Sequence, residues 1–349
     1  ERKKAGFDAP EVGTFLHYLL ENVNRDVKAL GGYGQVSDDE LRRMTKDYVS
    51  RYAAERIDDF AHKSARFRYL FTRLRETAYT IILNIAREMR QSDFQPVSFE
   101  LSFGGRQGDL PAITIQEDGA RLSVSGKVDR VDGWLHEGKL YLRVVDYKTG
   151  KKSFDLTDIR YGLGIQMLLY LFTLEREGQS FFGHPIVPCG VLYQPARDVI
   201  LRQDRNISDE KLKAALQSEL RRTGLVLNDP QVLQAMEHSA LESPCYLPIG
   251  VKKDGSLSGS VATAAQLGHL GRYVDKLLHQ ITGEIAHGNI DADPYARGPQ
   301  DSACTYCPFA AACCFDEARD KRRPLRKTDS EEFWALMEKT GEEDRHGEN

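Results

Sequence analysis

The chain has 349 residues, of which 41% are hydrophobic and 29% are charged, proportions that are typical of a soluble globular protein. Its formal net charge of -4 excludes a chain that is basic throughout, so any contact with nucleic acid has to come from local basic patches. No apolar run approaches the roughly 18 residues that a membrane-spanning helix requires.

The first predicted element is a helix that begins at Asp8-Ala9-Pro10-Glu11, where a capping Asp, an early Pro and a first-turn acid coincide. Apolar residues then recur at helical spacing as far as Val23. Gly13 and His17 lie one turn apart on this helix. A single His beside an apolar face is more often a structural residue, so His17 by itself does not establish a site.

Two further helices are predicted, from Asp38 to Arg56 and from Ser64 to Gln91. Two predicted strands follow, Pro96–Phe103 and Ala112–Gln116, and they lead into the hairpin described next. Glu100 lies on the first of these strands. Its position fits an accessory acid and equally fits the polar half of an alternating strand.

A predicted β-hairpin carries the strongest chemical pattern in the chain. Its strands, Ser123–Trp134 and Leu140–Tyr147, are rich in β-branched and aromatic residues and are joined by a turn at residues 136–139. Antiparallel pairing would let Asp129 on the first strand approach Asp146 on the second. A Mg²⁺ ion is held by one or two carboxylates, with waters and substrate oxygens completing its shell.

Lys148 follows Asp146 by two residues, and side chains two apart on a strand share a face. The carbonyl of Tyr147 lies between them as a further candidate ligand. Beside an ion, Lys148 can orient the attacking water and offset the charge that builds on a phosphate. An Asp-x-Lys near a strand end is more often a solvated ion pair, so the order of the motifs matters more than this one alone.

The next predicted helix runs from Gln166 to about Glu177. Gln166 and Tyr170 are one turn apart and share a face, although a buried tyrosine packing on a helix explains the pair equally well. Ile186–Tyr193 is a predicted strand that returns to the same sheet.

Residues 201–298 are predicted to form a mainly helical insertion. Its helices are Ser208–Arg222, Asp229–Ser239 and Thr263–His287. The segment 317–349 is a charged tail with a short amphipathic patch at Phe333–Met337, and its composition predicts partial disorder.

The second motif is Cys304-x-x-Cys307-x5-Cys313. Close spacing lets thiolates converge on one soft metal or on an iron–sulfur cluster. Zinc is the generic interpretation of paired cysteines, and ordinary buried thiols are the alternative. The clustering favours a metal site in a reducing, cytoplasmic compartment over disulfides.

Taken in order, these motifs resemble the RecB-family branch of the PD-(D/E)xK nucleases, and the resemblance covers Gly13 to Asp316. That branch carries a His on an upstream helix, an Asp on one strand, Asp-x-Lys on the next strand and Gln-x-x-x-Tyr on the following helix. The resemblance implies a restriction-endonuclease-like α/β fold, in which a mixed β-sheet is flanked by helices. It also implies a large helical N-terminal part and a C-terminal Cys-rich segment.

The resemblance also implies roles for individual residues. The implied ligands of Mg²⁺ or Mn²⁺ are His17, Asp129, Asp146 and the Tyr147 carbonyl. Lys148 is the implied catalytic lysine, acting with Asp129 and Asp146. Gln166 and Tyr170 are implied to line the DNA side of the site. Gly13 is expected to allow a close approach of its helix to the sheet or to DNA.

Pro308-Phe309 and Phe315-Asp316, which follow cysteines of the second motif, resemble the C-terminal motif of AddB-type nuclease subunits. In that family three C-terminal cysteines and one far upstream bind a [4Fe-4S] cluster. The implied ligands here are Cys304, Cys307 and Cys313. No cysteine precedes Cys189, so we predict that the cluster is incomplete in this chain.

By this resemblance, residues 1–316 form a metal-dependent exonuclease domain of a helicase–nuclease that processes DNA double-strand breaks, with DNA and an AddA-like helicase–nuclease subunit as partners. The implied parts of that domain are a helical N-terminal part (1–95), a catalytic core (96–200), the insertion (201–298) and the cysteine motif (299–316).

Two alternatives stay open. One is a free-standing RecB-like or CRISPR-associated exonuclease. The start at Glu1 within a charged run and the length of 349 residues argue against it and lead us to expect part of a longer protein. The other is a catalytically silent DNA-binding scaffold. The intact set of site residues argues against that alternative, because a decayed site should lose a ligand.

Overall fold

A computed structural model describes residues 9–57, 59–105, 108–199, 208–298 and 300–347. Within these ranges the α-helices are α1 (Ala9–Ala29), α2 (Asp38–Arg56), α3 (Ala65–Met89), α4 (Leu156–Arg160), α5 (Gln166–Phe182), α6 (Asp209–Glu219), α7 (Pro230–Met236), α8 (Ala264–Ala286), α9 (Ala310–Cys313) and α10 (Ser330–Gly347). The strands are β1 (Gln95–Phe103), β2 (Ile113–Glu117), β3 (Ala120–Val124), β4 (Gly126–His136), β5 (Lys139–Lys148), β6 (Ile186–Pro195), β7 (Thr223–Leu227), β8 (Ile249–Val251), β9 (Leu257–Gly259), β10 (Val261–Ala262), β11 (Tyr295–Gly298), β12 (Asp301–Ser302) and β13 (Arg323–Pro324).

Two compact units make up the chain. The first comprises the described residues within 1–112, 125–154 and 170–264, and the second those within 113–124, 155–169 and 265–349. Among the described helices, none combines the length and the apolar character that a lipid bilayer would require.

The first unit is built on a six-stranded mixed sheet with the strand order β1-β4-β5-β6-β7-β10. β5 runs parallel to β6, and β7 runs parallel to β10, whereas the other neighbours are antiparallel. Parallel neighbours need a crossover connection, and the helix α5 lies in the connection from β5 to β6. The predicted α/β class with a mixed sheet flanked by helices is confirmed.

The β4–β5 hairpin closes through a two-residue turn, Glu137-Gly138. Both residues have positive φ, at 48° and 76°, which is the backbone that the tightest hairpin turns require. The strands pair from Arg130–Val145 to His136–Lys139. The predicted hairpin is therefore present, although β4 begins at Gly126 rather than at Ser123.

Helices α1, α2 and α3 pack into one apolar cluster of the first unit, which also includes the side chain of Tyr147. Ser37 starts α2 with a capping box, because its hydroxyl accepts from the Glu40 backbone N–H while the Glu40 carboxylate accepts from the Ser37 backbone N–H. Ser64 caps α3 through the N–H of Phe67. The bounds predicted for both helices hold to within two residues, whereas Asp8, the predicted cap of α1, lies outside the described residues.

Three parts of the chain differ from the sequence prediction. Strand β2 pairs with β3 in a separate two-stranded sheet of the second unit, so Ala112–Gln116 does not join the main sheet. Residues 201–298 contain β7, which is hydrogen-bonded within the main sheet, in addition to helices. The C-terminal segment is helical in α10, because Phe333 and Met337 are buried and offset the cost of ordering a charged helix.

Candidate active site

The site begins where two strands of the sheet separate. Pairing between β4 and β5 starts at Arg130–Val145, and Asp129 and Asp146 are the next residues beyond that pair. The Oδ2 atom of Asp129 accepts the backbone N–H of Tyr147 at 2.8 Å. The Asp129 carboxylate therefore contacts the backbone of β5 directly after Asp146, and the sheet presents both carboxylates together.

A histidine from α1 and two carboxylates converge at this point. The Nδ1 atom of His17 lies 3.4 Å from Oδ1 of Asp129 and 3.9 Å from Oε1 of Glu100. In the described part of the chain, these three residues form the one group of histidine, cysteine and acidic side chains whose ligand atoms all lie within 4.8 Å of one another. One ion can contact ligand atoms spaced in this way.

The sequence left open whether Glu100 is an accessory acid of the site or an ordinary polar residue of a strand. It has a φ of 50° although it is not glycine, a conformation that costs on the order of 1–3 kcal/mol and is often found at functional sites. Its carboxylate is held by Lys127 at 2.7 Å as well as by His17. Period-two alternation gives no sign of this local distortion, so the sequence pattern did not separate Glu100 from an ordinary strand residue.

The pKa of His17 rises from its usual value to about 10, because hydrogen bonds to the carboxylates of Asp129 and then Glu100 outweigh the effect of burial. The pKa of the Asp146 carboxyl is also raised, first by burial and then by the negative charge of Asp129, while Lys148 opposes the shift. Hydrogen bonds to two carboxylates raise the pKa of His17, and the charge of Asp129 adds to burial at Asp146, so negative charge is concentrated at one place. A bound cation would offset that charge.

Lys148 lies beside Asp146, with 2.6 Å between its Nζ and Oδ2 of the aspartate. That oxygen is buried and has no hydrogen-bond partner of good geometry among the described residues. The donor set of one imidazole and several carboxylates suits a divalent ion with a preference for oxygen ligands. The residues therefore fit a Mg²⁺ or Mn²⁺ ion.

A buried polar seam attaches α1 to β5 behind the site. The hydroxyl of Tyr147 accepts from Arg130 Nη1 at 3.1 Å and from Asn24 Nδ2 at 3.4 Å. Tyr33 donates its hydroxyl to Oδ1 of Asn24 at 2.6 Å. Asn24 and His17 are seven residues apart on one helix, which places them on the same face two turns apart. The seam therefore fixes where His17 lies relative to β5.

A second charged cluster, here called the dry network, lies mainly on β4, β5 and α3. Its members are Glu88, Arg130, Asp132, Arg143 and Arg222. Asp132 lies 2.8 Å from Arg130 and 3.0 Å from Arg143, and Glu88 lies 2.8 Å from Arg143 and 2.5 Å from Arg222. Every side chain of the network is at most 1% exposed. None of the sequence patterns predicted it.

The remaining predicted site residues are placed as follows. Tyr170 packs its ring against Phe103 at 5.2 Å between centroids, and a Cβ on Gly126 would come within 2.8 Å of that ring. Tyr170 thus makes a buried packing contact, and its DNA-facing role stays a prediction. Gln166 is exposed at the start of α5. For Gln166 and for the Tyr147 carbonyl, the predicted roles stay predictions.

The surroundings of Gly13 correct part of the expectation for α1. A Cβ built on this glycine would meet no described atom within 4 Å. Gly13 therefore does not serve a close approach of α1 to the sheet. The open space beside it leaves an approach of DNA as a prediction.

The cysteine motif lies in the second unit. Cys304 and Cys307 are half-buried, whereas Cys313 and Cys314 are exposed, and all are free thiols. Cys314 has a left-handed backbone at the end of α9, with a φ of 54°. A [4Fe-4S] cluster needs four thiolates. The motif supplies three, so an incomplete cluster in this chain stays a prediction.

Comparison with known proteins adds independent evidence. Residues 1–314 match the family model of the PD-(D/E)XK nuclease superfamily. The chain is 34% identical to an ATP-dependent helicase/deoxyribonuclease subunit of Acetivibrio thermocellus, with 98% of this chain and 30% of that protein covered. The corresponding proteins of Clostridium kluyveri and Caldanaerobacter subterraneus are 32% and 31% identical, covering 97% and 99% of this chain and 30% of each relative.

The chain thus spans about 30% of the length of the curated relatives that it matches. The family model, in contrast, covers most of the chain and includes the helix that carries His17 and the strands that carry Asp129 and Asp146. On this evidence, the chain belongs to the PD-(D/E)XK nuclease superfamily.

Proposed function

We propose that this chain is a Mg²⁺- or Mn²⁺-dependent exonuclease domain that cuts DNA. The observation that carries the proposal is the convergence of His17, Glu100 and Asp129 beside the Asp146–Lys148 pair. A decayed scaffold has no need to keep a strained Glu100 and two carboxylates around one histidine.

His17 and Asp129 would hold the ion from α1 and β4, and Asp146 would hold it from β5, with Glu100 as a further oxygen donor. A divalent ion bound there supplies Lewis-acid polarisation of a phosphoryl oxygen and a water of lowered pKa. The Asp129 carboxylate also fixes its own position against β5, because it accepts the Tyr147 N–H.

Lys148 has the geometry of a group that acts on the reacting phosphate. Its side chain is 35% exposed, whereas that of its partner Asp146 is 10% exposed, so Lys148 is accessible to a bound phosphate. A cation there stabilises the negative charge that develops on the phosphate as the phosphodiester bond breaks. It also donates a hydrogen bond that orients the attacking water.

The names of the relatives support a role within a larger assembly. Each of those proteins is named as one subunit of an ATP-dependent helicase/deoxyribonuclease. We extend that name to this chain as the nuclease domain of an AddB-like protein, which acts with an AddA-like partner in the bacterial cytoplasm during the repair of DNA double-strand breaks. In the longer protein, Cys304, Cys307 and Cys313 would supply three ligands of an iron–sulfur cluster.

The test is a cleavage assay on single-stranded DNA with and without Mg²⁺. The wild-type chain should shorten a linear oligonucleotide only with the ion, and a circular strand of the same sequence should stay intact because an exonuclease needs an end. Asp146→Ala should lose the activity, while Asp47→Ala, an exposed aspartate of α2, should keep it. Binding without cutting in the wild type would support a silent scaffold instead.

A further inference from the structure

A basic groove of about 360 Å³ opens next to Lys148. Its walls come from the segment after β5, from the end of β6 and from the segment that joins α6 to β7. The charged side chains that line it are five cations, Lys148, Lys151, Lys152, Arg197 and Arg221, and one carboxylate, Glu219. In a chain with a net charge of -4, this is a local concentration of positive charge.

The ring of Tyr193 in the groove contacts two of these cations. The Nζ atoms of Lys148 and Lys152 lie 5.9 and 5.8 Å from the centroid of the Tyr193 ring. An ammonium at this distance is attracted by the ring, which holds Lys152 without neutralising its charge. Lys148 is shared between this ring and the Asp146 carboxylate. The backbone of Lys152 is fixed as well, because its carbonyl accepts from Thr223 Oγ1 at 2.8 Å.

Arg221 contributes charge in a different way. Its guanidinium donates to the backbone carbonyls of Leu247, at 2.7 Å, and of Ile249. These partners are neutral, so the positive charge of Arg221 is not cancelled by an acid at this point. The side chain is held in place, and its contribution to the groove is a fixed positive potential.

Glu219 bridges two cations of the groove. Its Oε2 atom lies 2.7 Å from Arg197 Nη2 and 3.7 Å from Lys151 Nζ. The pKa of Glu219 is lowered by the hydrogen bond from Arg197 and then by the charge of Lys151, so the carboxylate is ionised at neutral pH. An anion held by an arginine and a lysine has the surroundings of a bound phosphate, because guanidinium and ammonium groups recognise both oxyanions alike.

We propose that this groove binds a backbone phosphate of the DNA strand, adjacent to the phosphate at which that strand is cut. Glu219 occupies this phosphate position when DNA is absent. The inference rests on the proposed nuclease function, because it takes Lys148 as the boundary between the cutting site and the groove. An incoming phosphate displaces the Glu219 carboxylate from Arg197 and Lys151. The groove thereby sets the path of the strand as it leaves Lys148.

The groove is tested without any cutting by the binding of a labelled oligothymidylate of about 12 nucleotides in EDTA. Fluorescence anisotropy measures this binding. Glu219→Gln should tighten binding about 3- to 10-fold, the range of one net hydrogen bond, because the competing carboxylate is gone. Lys151→Ala should weaken binding by a similar factor. It should also make the fall of log affinity with log salt concentration less steep, by about one in the magnitude of the slope. Lys151 is 79% exposed, so this variant does not disturb the fold.

Lys139→Ala is the matched control, since this exposed lysine is the first residue of β5 and Lys148 is the last. Its binding should equal that of the wild type. Equal or weaker binding by Glu219→Gln, with a thermal unfolding curve like that of the wild type, would overturn the inference. So would a Lys151→Ala variant that binds like the control.

The two proposals fail in different ways. If the chain cuts no DNA while the Glu219 and Lys151 variants change binding as expected, the nuclease function fails and the groove stands. If Mg²⁺-dependent cutting is normal while both variants bind like the wild type, the nuclease function stands and the groove assignment is wrong. A cleavage assay and a binding assay on the same preparations separate these outcomes.

Discussion

The dry network and the active site place charged residues on the same two strands, yet they treat charge in opposite ways. In the network, Asp132 and Glu88 each lie between two guanidinium groups, and every side chain is at most 1% exposed. In the site, the carboxylates of Glu100, Asp129 and Asp146 are 10% to 15% exposed, and His17 and Lys148 are about one-third exposed.

The difference lies in whether the partners can be exchanged. Water cannot reach the network, so loss of one ion leaves its partner buried and uncompensated. The cationic side chains of the active site are accessible to solvent. A divalent ion can replace the proton of His17 as the positive charge that balances the carboxylates. We infer that the network serves the fold, and that the site keeps its negative charge available for a metal.

The largest effect is expected in the network. Glu88→Gln removes the anion between Arg143 and Arg222 and should lower the free energy of unfolding by about 3–5 kcal/mol, because two buried cations lose their partner. Urea unfolding followed by circular dichroism measures this change. Glu76→Gln, which breaks an exposed pair with Arg75, is the control and should cost less than about 1 kcal/mol. Equal effects of the two variants would contradict the assignment.

The dependence of stability on pH gives a smaller effect of the same origin. Burial by itself would raise the pKa of Glu88, but Arg222, Arg143 and Arg130 outweigh burial and lower it. A lowered pKa means that the stabilisation is complete above the normal pKa of a glutamate and is lost as the pH falls through the folded-state value. Unfolding measured from about pH 7 down to about pH 3 should therefore show a smaller slope in Glu88→Gln than in the wild type. Parallel curves would contradict this.

Lys148→Ala probes the other side of the comparison. Because the proposed role of its ammonium is to stabilise the charge on the reacting phosphate, cutting should fall about 10²- to 10³-fold. The affinity for Mg²⁺ and the unfolding midpoint should change little. Titration calorimetry of the variant with Mg²⁺ separates this outcome from a loss of the metal site. A variant that binds no ion would make Lys148 a structural partner of Asp146.

The smallest effect is expected where the two clusters meet. Tyr147→Phe removes the hydroxyl that accepts from Arg130 and Asn24, and the loss of such a hydrogen bond costs about 1 kcal/mol. Because Asn24 shares a helix face with His17, the affinity for Mg²⁺ should fall as well, within about 10-fold. A change in stability without any change in metal affinity would show that the seam does not position His17.

Much of the fold is predictable from the sequence because α2, α3, α8 and the β4–β5 hairpin carry their own start and stop residues. The dry network was not predictable. Asp132 and Arg143 are polar residues at inward-facing positions, and on a strand they have the same spacing as solvent-facing residues. Only tertiary packing by α3 buries them. Strand β7 was missed because its five residues directly follow the helix predicted for Ser208–Arg222 and are too few for a clear alternation.

The site was predictable in part. The residue types and their order indicated His17, Asp129, Asp146 and Lys148, and the structure brings His17 and Asp129 to 3.4 Å. Glu100 depends on a single distorted backbone angle, which no spacing rule encodes. The spacing of Gln166 and Tyr170 predicts a pair at the DNA, which stays a prediction, while the ring of Tyr170 packs against Phe103.

The most direct test of the central claim is calorimetric titration of Mn²⁺ into the wild-type chain and into Asp129→Asn. The asparagine keeps an oxygen for the N–H of Tyr147 and removes the charge between His17 and Glu100. We expect one ion bound per wild-type chain, an affinity lower by more than about 100-fold in Asp129→Asn, and an unchanged unfolding midpoint without metal. Equal affinities in the two proteins, or no binding by the wild type, would contradict the claim.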